Sequence, residues 1–141
     1  MCFPLTLCNT RIGFDRHSPS QTIQRRLSAL ARSLTQTAKI VKAVHPLTFS
    51  QSMHLEQSVE YLQKEFVDLL ATTVAAKKIF KTIPFNIDPL VATGLKALGS
   101  AADSLEAELE AIVVGPIKND VVTSRKVIAT AFSDAVAAYS N

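Results

Sequence analysis

The stretch Leu55-Glu-Gln-Ser-Val-Glu-Tyr-Leu-Gln-Lys-Glu-Phe-Val-Asp-Leu69 decides the fold class, because its apolar residues recur every three or four positions. The same rhythm continues to Phe80. These steps place the apolar residues on one face of an α-helix, and a β-strand with a period of two cannot produce them. Thr48, followed three residues later by Gln51, fits a capping box. The sequence therefore predicts one long helix that begins just after Thr48.

Three further segments repeat this spacing and predict three more helices. The first spans residues 20–44 and ends before His45-Pro46, because the residue before a proline is pushed out of the α region. The next ends at Ile112, with Asp88 as its N-cap and Pro89 at its first position. The last begins at Ile117. We therefore expect an all-α bundle of four long antiparallel amphipathic helices, with the option that one is broken into a fifth.

The chain reads as one domain preceded by a tail. Residues 1–18 show no period and form the predicted tail, and residues 19–141 form the predicted helical domain. The tail holds both cysteines, Cys2 and Cys8, which cannot form a disulfide framework for the fold. Its start has no basic region or cleavage site typical of a signal peptide. No apolar run approaches the roughly 20 residues that a membrane-spanning helix needs.

Charge is distributed unevenly along the chain. Residues 1–44 carry seven basic residues and one acidic residue, whereas the remainder carries eight basic and eleven acidic residues. A basic first helix could face a phosphate or carboxylate, although charged helix faces usually face water. The net charge of +3 is too small to indicate a nucleic-acid partner. The absence of tryptophan also leaves little aromatic surface for stacking on bases.

The sequence contains no pattern typical of a catalytic or metal site. The three histidines lack a second ligand at helical spacing, and there is no nucleophile elbow or phosphate-binding glycine loop. Glu106, Glu108 and Glu110 resemble a carboxylate cluster, but their spacing favours a solvated acidic face. We expect no enzyme activity, no metal and no cofactor.

The helix interior is the remaining candidate site. The apolar faces mix large and small residues, so the helices either close tightly or leave a space for a ligand. The hydroxyl groups of Thr73 and Ser124 would then either bind a polar head group or bond to their own helix backbone. The predicted ligand-binding residues are Phe66, Leu69, Thr73, Leu98, Leu105, Leu109, Ser124, Ile128 and Phe132.

Three segments support a resemblance to a known family: Leu90-Val-Ala-Thr-Gly-Leu-Lys-Ala-Leu98, Ala101-Ala-Asp-Ser-Leu-Glu-Ala-Glu-Leu109 and Ala131-Phe-Ser-Asp-Ala-Val-Ala-Ala-Tyr139. Residues 20–141 resemble the hydrophobic surface-binding protein A family of fungi, which includes cell wall galactomannoproteins. The resemblance implies a secreted or wall-associated helical bundle without enzyme activity. Members of the family attach to hydrophobic surfaces, and some enclose long-chain fatty acids between their helices.

The resemblance favours one function and leaves two alternatives open. The favoured function is binding of a long-chain fatty acid or similar lipid inside the bundle of an extracellular or cell-wall protein. One alternative is adhesion to a hydrophobic surface through apolar residues near the central break, namely Leu55, Phe80, Phe85 and Ile87. The other is a helical protein-interaction module with a closed core, which the lack of a clear signal peptide supports. A homo-oligomer remains an option in each case.

Overall fold

The computed structural model describes residues 19–84 and 86–140. The predicted tail, with Cys2 and Cys8, lies outside the described residues, as do Phe85 and Asn141. The helices are α1 (Pro19–Lys42), α2 (Phe49–Phe80), α3 (Asp88–Ile112) and α4 (Ile117–Ser140). Each of them is continuous, and the prediction of an all-α bundle of four long helices is confirmed.

The capping box at the start of α2 forms as predicted. The Thr48 amide donates to Gln51 Oε1 over 3.0 Å, and the Gln51 amide donates to Thr48 Oγ1 over 3.3 Å. These two bonds satisfy amide donors that have no partner inside the helix. The capping box therefore fixes where α2 begins.

The predicted cap of α3 is wrong. Asp88 is the first residue of the helix rather than its cap, and Ile87 before it makes no capping bond. The Asp88 carboxylate instead lies 3.7 Å from Lys77 Nζ on α2. A negative charge in the first helical turn is still favourable, because it faces the positive end of the helix dipole.

The four helices pack in the spatial order α1, α3, α4, α2. Extended contacts join α1 to α3, α3 to α4 and α4 to α2. The chain reverses direction between successive helices, but α1 and α2 make no extended contact within the described part, nor do α2 and α3. Short connections favour packing between helices that are neighbours in sequence, and of these pairs α3 and α4 pack together. The helix α3 makes this spatial order possible, because its buried residues lie on two flanks and pack against both α1 and α4.

The ends of α2 are tied to the rest of the bundle by polar contacts. At its beginning, the buried Ser52 Oγ accepts a hydrogen bond of 3.2 Å from the Val114 amide. Near its end, the Tyr139 hydroxyl donates to the Thr73 carbonyl, and Lys77 Nζ lies 5.6 Å from the Tyr139 ring centre. Both ends of α2 are thus attached, while its middle packs along α4 alone.

Candidate functional site

Seven of the nine predicted ligand-binding residues meet at the centre of the bundle. Their side chains are between 0% and 7% exposed. The rings of Phe66 and Phe132 meet edge to face, with centroids 5.5 Å apart. The structure therefore brings together, from three helices, Phe66, Leu98, Leu105, Leu109, Ser124, Ile128 and Phe132.

The other two predicted residues lie nearer the surface. Leu69 is 41% exposed, and Thr73 is half-buried. The Thr73 hydroxyl donates over 2.8 Å to the Leu69 carbonyl, four residues earlier in the same helix. Of the two alternatives for this hydroxyl, the structure shows the local backbone bond.

Side chains fill the centre of the bundle. A Cβ atom added to Gly99 would lie 3.1 Å from Phe132 Cγ, and one added to Gly94 would lie 2.5 Å from Leu27 Cδ1. Ordinary carbon contacts are about 3.5–4.0 Å, so these glycines allow neighbouring helices to approach closely. The interior described here is consequently a packed core rather than an open cavity.

Glu106 contradicts the prediction of a solvated acidic face. Its side chain is only 1% exposed, and neither carboxyl oxygen has a hydrogen-bond partner. Burial raises its pKa from 4.5 to about 7; the charge of Asp103 adds to this, and Arg125 partly offsets it. The space beside Glu106 is about 10 Å³, close to the room needed by one water molecule.

The sequence does indicate the burial of Glu106, although the pattern of three nearby glutamates favoured a solvated face. Glu106 follows Ala102 by four residues and precedes Leu109 by three, so helical geometry places all three on one face. Its charged neighbours are engaged elsewhere. Arg125 Nε donates to Asp103 over 2.7 Å, and Arg125 Nη1 donates to Glu110 over 3.1 Å. The hydrogen bond from Arg125 lowers the pKa of Asp103.

An open apolar groove lies between α2 and α4, and the sequence analysis missed it. The groove has a volume of about 480 Å³, within the usual range for ligand sites. Alanine side chains on both helices leave this space, because they are too small to fill the gap between the helices. The sequence feature that indicates the groove is the run of small residues. Periodicity alone assigns such residues to the core. The lining consists of Val67, Leu70, Ala71, Val74, Ala75, Ala131, Asp134 and Ala135.

A second, polar pocket of about 200 Å³ lies between the same two helices. Its carboxylates are Glu56, Glu60 and Asp120, and Ser124 lines it as well. A hydrogen bond with Asp120 raises the pKa of Glu56, with smaller contributions from burial and from the charges of Asp120 and Glu60. The Ser124 hydroxyl is buried without a hydrogen-bond partner.

Among the described apolar residues near the central break, none is fully exposed. Ile87 is buried, Leu55 and Phe80 are half-buried, and Phe85 lies outside the described residues. Large exposed apolar side chains occur elsewhere. The most exposed of these in the described part are Ile40, Tyr61 and Ile79, each between 67% and 68% exposed.

Among the described residues, no group of His, Cys, Asp and Glu side chains is arranged to hold a metal ion. None of the four described helices is long and apolar enough to cross a membrane.

Comparisons with known proteins identify the family. The family described as Hydrophobic surface binding protein A matches residues 9–111, well over half of the chain. A solved structure of AfMp4p from Aspergillus fumigatus, in complex with palmitic acid, shares the fold with a TM-score of 0.68. The two sequences are 22% identical, and the match covers 85% of this chain and 99% of AfMp4p. No curated protein sequence matches the chain. The chain belongs to the hydrophobic surface binding protein A family.

Proposed function

We propose that this chain is a non-enzymatic binding protein that takes a long-chain fatty acid or similar lipid between its helices. The observation that carries the proposal is an apolar interior whose helices α1 and α2 make no extended contact with each other in the described structure. Membership of the family supports a hydrophobic ligand. The palmitic acid complex of AfMp4p, which has the same fold, supports a fatty acid in particular.

Exposed apolar side chains occur on both α1 and α2. Leu30 on α1 and Val44, just beyond the end of this helix, are 37% and 42% exposed. Leu69 on α2 is 41% exposed. We infer that these side chains border the side of the bundle where α1 and α2 make no extended contact with each other. We call this side the α1–α2 seam, and it is the proposed entrance.

A ligand enters the packed interior only if a helix moves. We propose that α1 moves, because its extended contacts are with α3 alone. Each methylene group that leaves water contributes about 0.8 kcal/mol, so a long acyl chain offsets the cost of separating α1. In the bound state, the buried residues Phe66, Leu98, Leu105 and Leu109 would form the wall.

The charge of α1 suits a carboxylate head group. The helix carries five basic residues and no acidic residue. Arg26 precedes Leu30 by four residues and so lies one turn away on the same flank, at the seam. We assign Arg26 the role of holding the carboxylate, since a guanidinium binds a carboxylate through two parallel hydrogen bonds.

The same proposal includes where the protein acts. Secretion or attachment to the cell wall is typical of the family, and we propose an extracellular or wall location for this chain. A carrier of lipid at that location needs no catalytic group. The proposed activity is reversible binding.

Native mass spectrometry of the purified protein tests the proposal. We expect a retained fatty acid, or a mass increase when palmitic acid is added. Leu105→Trp, which fills the interior, should abolish this gain, whereas Val74→Trp on the open groove should not. Circular dichroism verifies that both variants fold. An unliganded mass that does not change with palmitic acid would refute lipid enclosure.

Adhesion to hydrophobic surfaces is a second candidate, favoured by the exposed side chains Ile40, Tyr61 and Ile79. In this case the bundle stays closed and its outer apolar residues contact a wax or polymer. Adsorption to a hydrophobic resin should then fall in the double variant Ile40→Ser and Ile79→Ser. Adsorption that depends on Leu105 instead would assign the effect to the interior.

A further inference from the structure

The two pockets between α2 and α4 differ in chemistry and follow one another along both helices, and we infer that together they form one groove with two ends. We call Glu56, Glu60 and Asp120 the acidic end. We call the apolar residues that line the larger pocket the apolar end: Val67, Leu70, Ala71, Val74, Ala75, Ala131 and Ala135. Asp134 lines this pocket as well. Gln63 at the edge of the first pocket is one helical turn from Val67 at the edge of the second. The two ends therefore follow one another along the same flanks of both helices.

The length of the groove suits a single hydrocarbon chain with a head group. Fourteen residues separate Glu60 from Val74, which corresponds to roughly 21 Å along a helix at about 1.5 Å per residue. Over this length the lining changes from carboxylates to alanine and valine side chains. A molecule that matches both ends must itself carry a polar head and an apolar tail.

A buried polar group at the acidic end independently indicates a missing partner. Ser124 lines the pocket at this end and is 4% exposed, yet its hydroxyl has no hydrogen-bond partner in the described structure. Buried hydroxyl groups normally have a partner, because leaving one unpaired is costly. An N–H donor of a ligand would supply it, since a hydroxyl oxygen accepts hydrogen bonds.

The charges of the groove select the sign of the head group. Three carboxylates line one end, and Asp134 lines the other. The basic residues near the groove on α2 include Lys64, one turn after Glu60, and Lys78, one turn beyond Val74. An anionic head group at the acidic end would meet like charges at close range. A cationic head group would neutralise them, and an ammonium has three N–H donors to share among the carboxylates and Ser124.

We propose that the groove between α2 and α4 binds a long-chain primary amine, with its ammonium group at the acidic end and its hydrocarbon chain along the apolar end. This site is separate from the interior proposed for fatty acids and does not depend on it. The two sites select opposite head-group charges: the α1–α2 seam lies beside a basic helix, and the groove ends in carboxylates. The same protein can then hold two classes of single-chain amphiphile.

Calorimetric titration with dodecylamine, lauric acid and dodecanol tests the proposal on the whole chain. These probes share a chain length and differ in head-group charge. We expect dodecylamine to bind at least tenfold more tightly than dodecanol in the groove, with shifts of the Val67 and Val74 methyl NMR signals. Lauric acid should leave those two signals unchanged. The advantage of the amine should shrink as salt is raised, because exposed charges are screened.

Neutral variants identify the residues responsible. The double variant Glu56→Gln and Asp120→Asn should lose at least tenfold in affinity for dodecylamine. Glu65→Gln, the same change on the opposite flank of α2, is the matched control and should bind as the unchanged protein does. Ala71→Gln, which narrows the apolar end, should weaken the amine without affecting palmitic acid. Circular dichroism verifies the fold of each variant.

Several results would overturn the proposal. Equal affinity for the amine and the alcohol, or loss of affinity in Glu65→Gln as large as in the double variant, would remove the role of the acidic end. Amine-induced shifts confined to Leu98, Leu105 and Leu109 would place the amine in the interior. Failure of palmitic acid to bind in the same experiments would refute the lipid carrier alone, since the two sites are read by different methyl groups.

Discussion

The interior of the bundle and the groove between α2 and α4 differ in how they use the same kinds of residue. In the interior, leucine and phenylalanine side chains interdigitate until Leu98 has no exposed surface. In the groove, alanines on facing helices leave a space of about 480 Å³. The interior is closed at rest and needs a helix to move, whereas the groove is open already. The two regions differ in the size of their apolar side chains and not in their hydrophobicity.

The difference also concerns charge. The Glu106 carboxyl group is buried in the interior, away from water. In the groove, by contrast, Glu56, Glu60 and Asp120 line an open pocket. A buried, isolated carboxyl group gains a proton, and exposed carboxylates attract cations. Each region should therefore respond differently to substitution.

The largest effect is expected from truncating the interior. Leu98→Ala should lower the free energy of unfolding by roughly 2–5 kcal/mol, because it leaves a cavity where the neighbours cannot collapse. Val74→Ala, at a groove position that is partly exposed, should cost less than about 1 kcal/mol. Urea unfolding followed by circular dichroism measures both. Equal costs would contradict the distinction between a packed interior and an open groove.

The pH dependence of stability is expected to report Glu106. Its pKa is about 7 in the folded chain and near 4.5 when exposed, so the folded state holds a proton that the unfolded state has lost. Stability should therefore fall as pH rises from about 4.5 to about 7, by roughly 3 kcal/mol at about 1.4 kcal/mol per pH unit.

The variant Glu106→Gln isolates this effect from other titrating groups. The difference in unfolding free energy between this variant and the unchanged chain should vary with pH over that window and be constant outside it. Glu108→Gln, two residues away, serves as the control and should show no such change. If the difference in unfolding free energy between Glu106→Gln and the unchanged chain did not vary with pH, water would reach the Glu106 carboxyl group in the folded state.

A smaller effect is expected where α2 meets α4. Tyr139→Phe removes the hydroxyl that donates to the Thr73 carbonyl, and the loss of one such bond costs about 1 kcal/mol. Hydrogen exchange of the amides in the last turns of α2 should quicken, while the amides near Ser52 should keep their protection. Faster exchange along the whole helix would show that α2 opens as a unit.

Effects of at most about 1 kcal/mol are expected from the two candidate hydroxyl groups, and the change at Ser124 should be the larger of the two. Ser124→Ala removes a buried hydroxyl without a partner and should raise the unfolding free energy by about 1 kcal/mol. Thr73→Val removes a hydroxyl bonded to its own helix, and the change should stay within about 0.5 kcal/mol. Calorimetric unfolding measures both. A destabilised Ser124→Ala would indicate that this hydroxyl already has a partner.

The sequence predicts the helices well because their information is local. The spacing from Leu55 to Phe80 and the capping box at Thr48 depend only on residues a few positions apart, and both form as expected. The spatial order of the helices depends on which flanks of α3 are apolar. The helix α1 packs on α3 because α3 is apolar on more than one flank. A pattern that assigns one apolar stripe to each helix does not predict this pairing.

The site is less predictable because it depends on fit between helices. Periodicity places Phe66, Leu98 and Ile128 together, yet it cannot tell whether their volumes fill the centre. Glu106 shows the same limit for charge, since its burial depends on how closely α4 covers that flank. The groove requires knowing that Ala71 and Ala131 face each other across two helices, which is a property of the assembled bundle.

The most direct test of the lipid-binding account is a methyl-resolved NMR titration with palmitic acid. If the interior is the site, nuclear Overhauser contacts should join the acyl chain to the methyl groups of Leu98, Leu105 and Leu109. The methyl signals of Val67 and Val74 in the groove should not change. Contacts confined to those two valines, with the interior leucines undisturbed, would contradict the account and leave the bundle a closed scaffold that binds lipid on its surface.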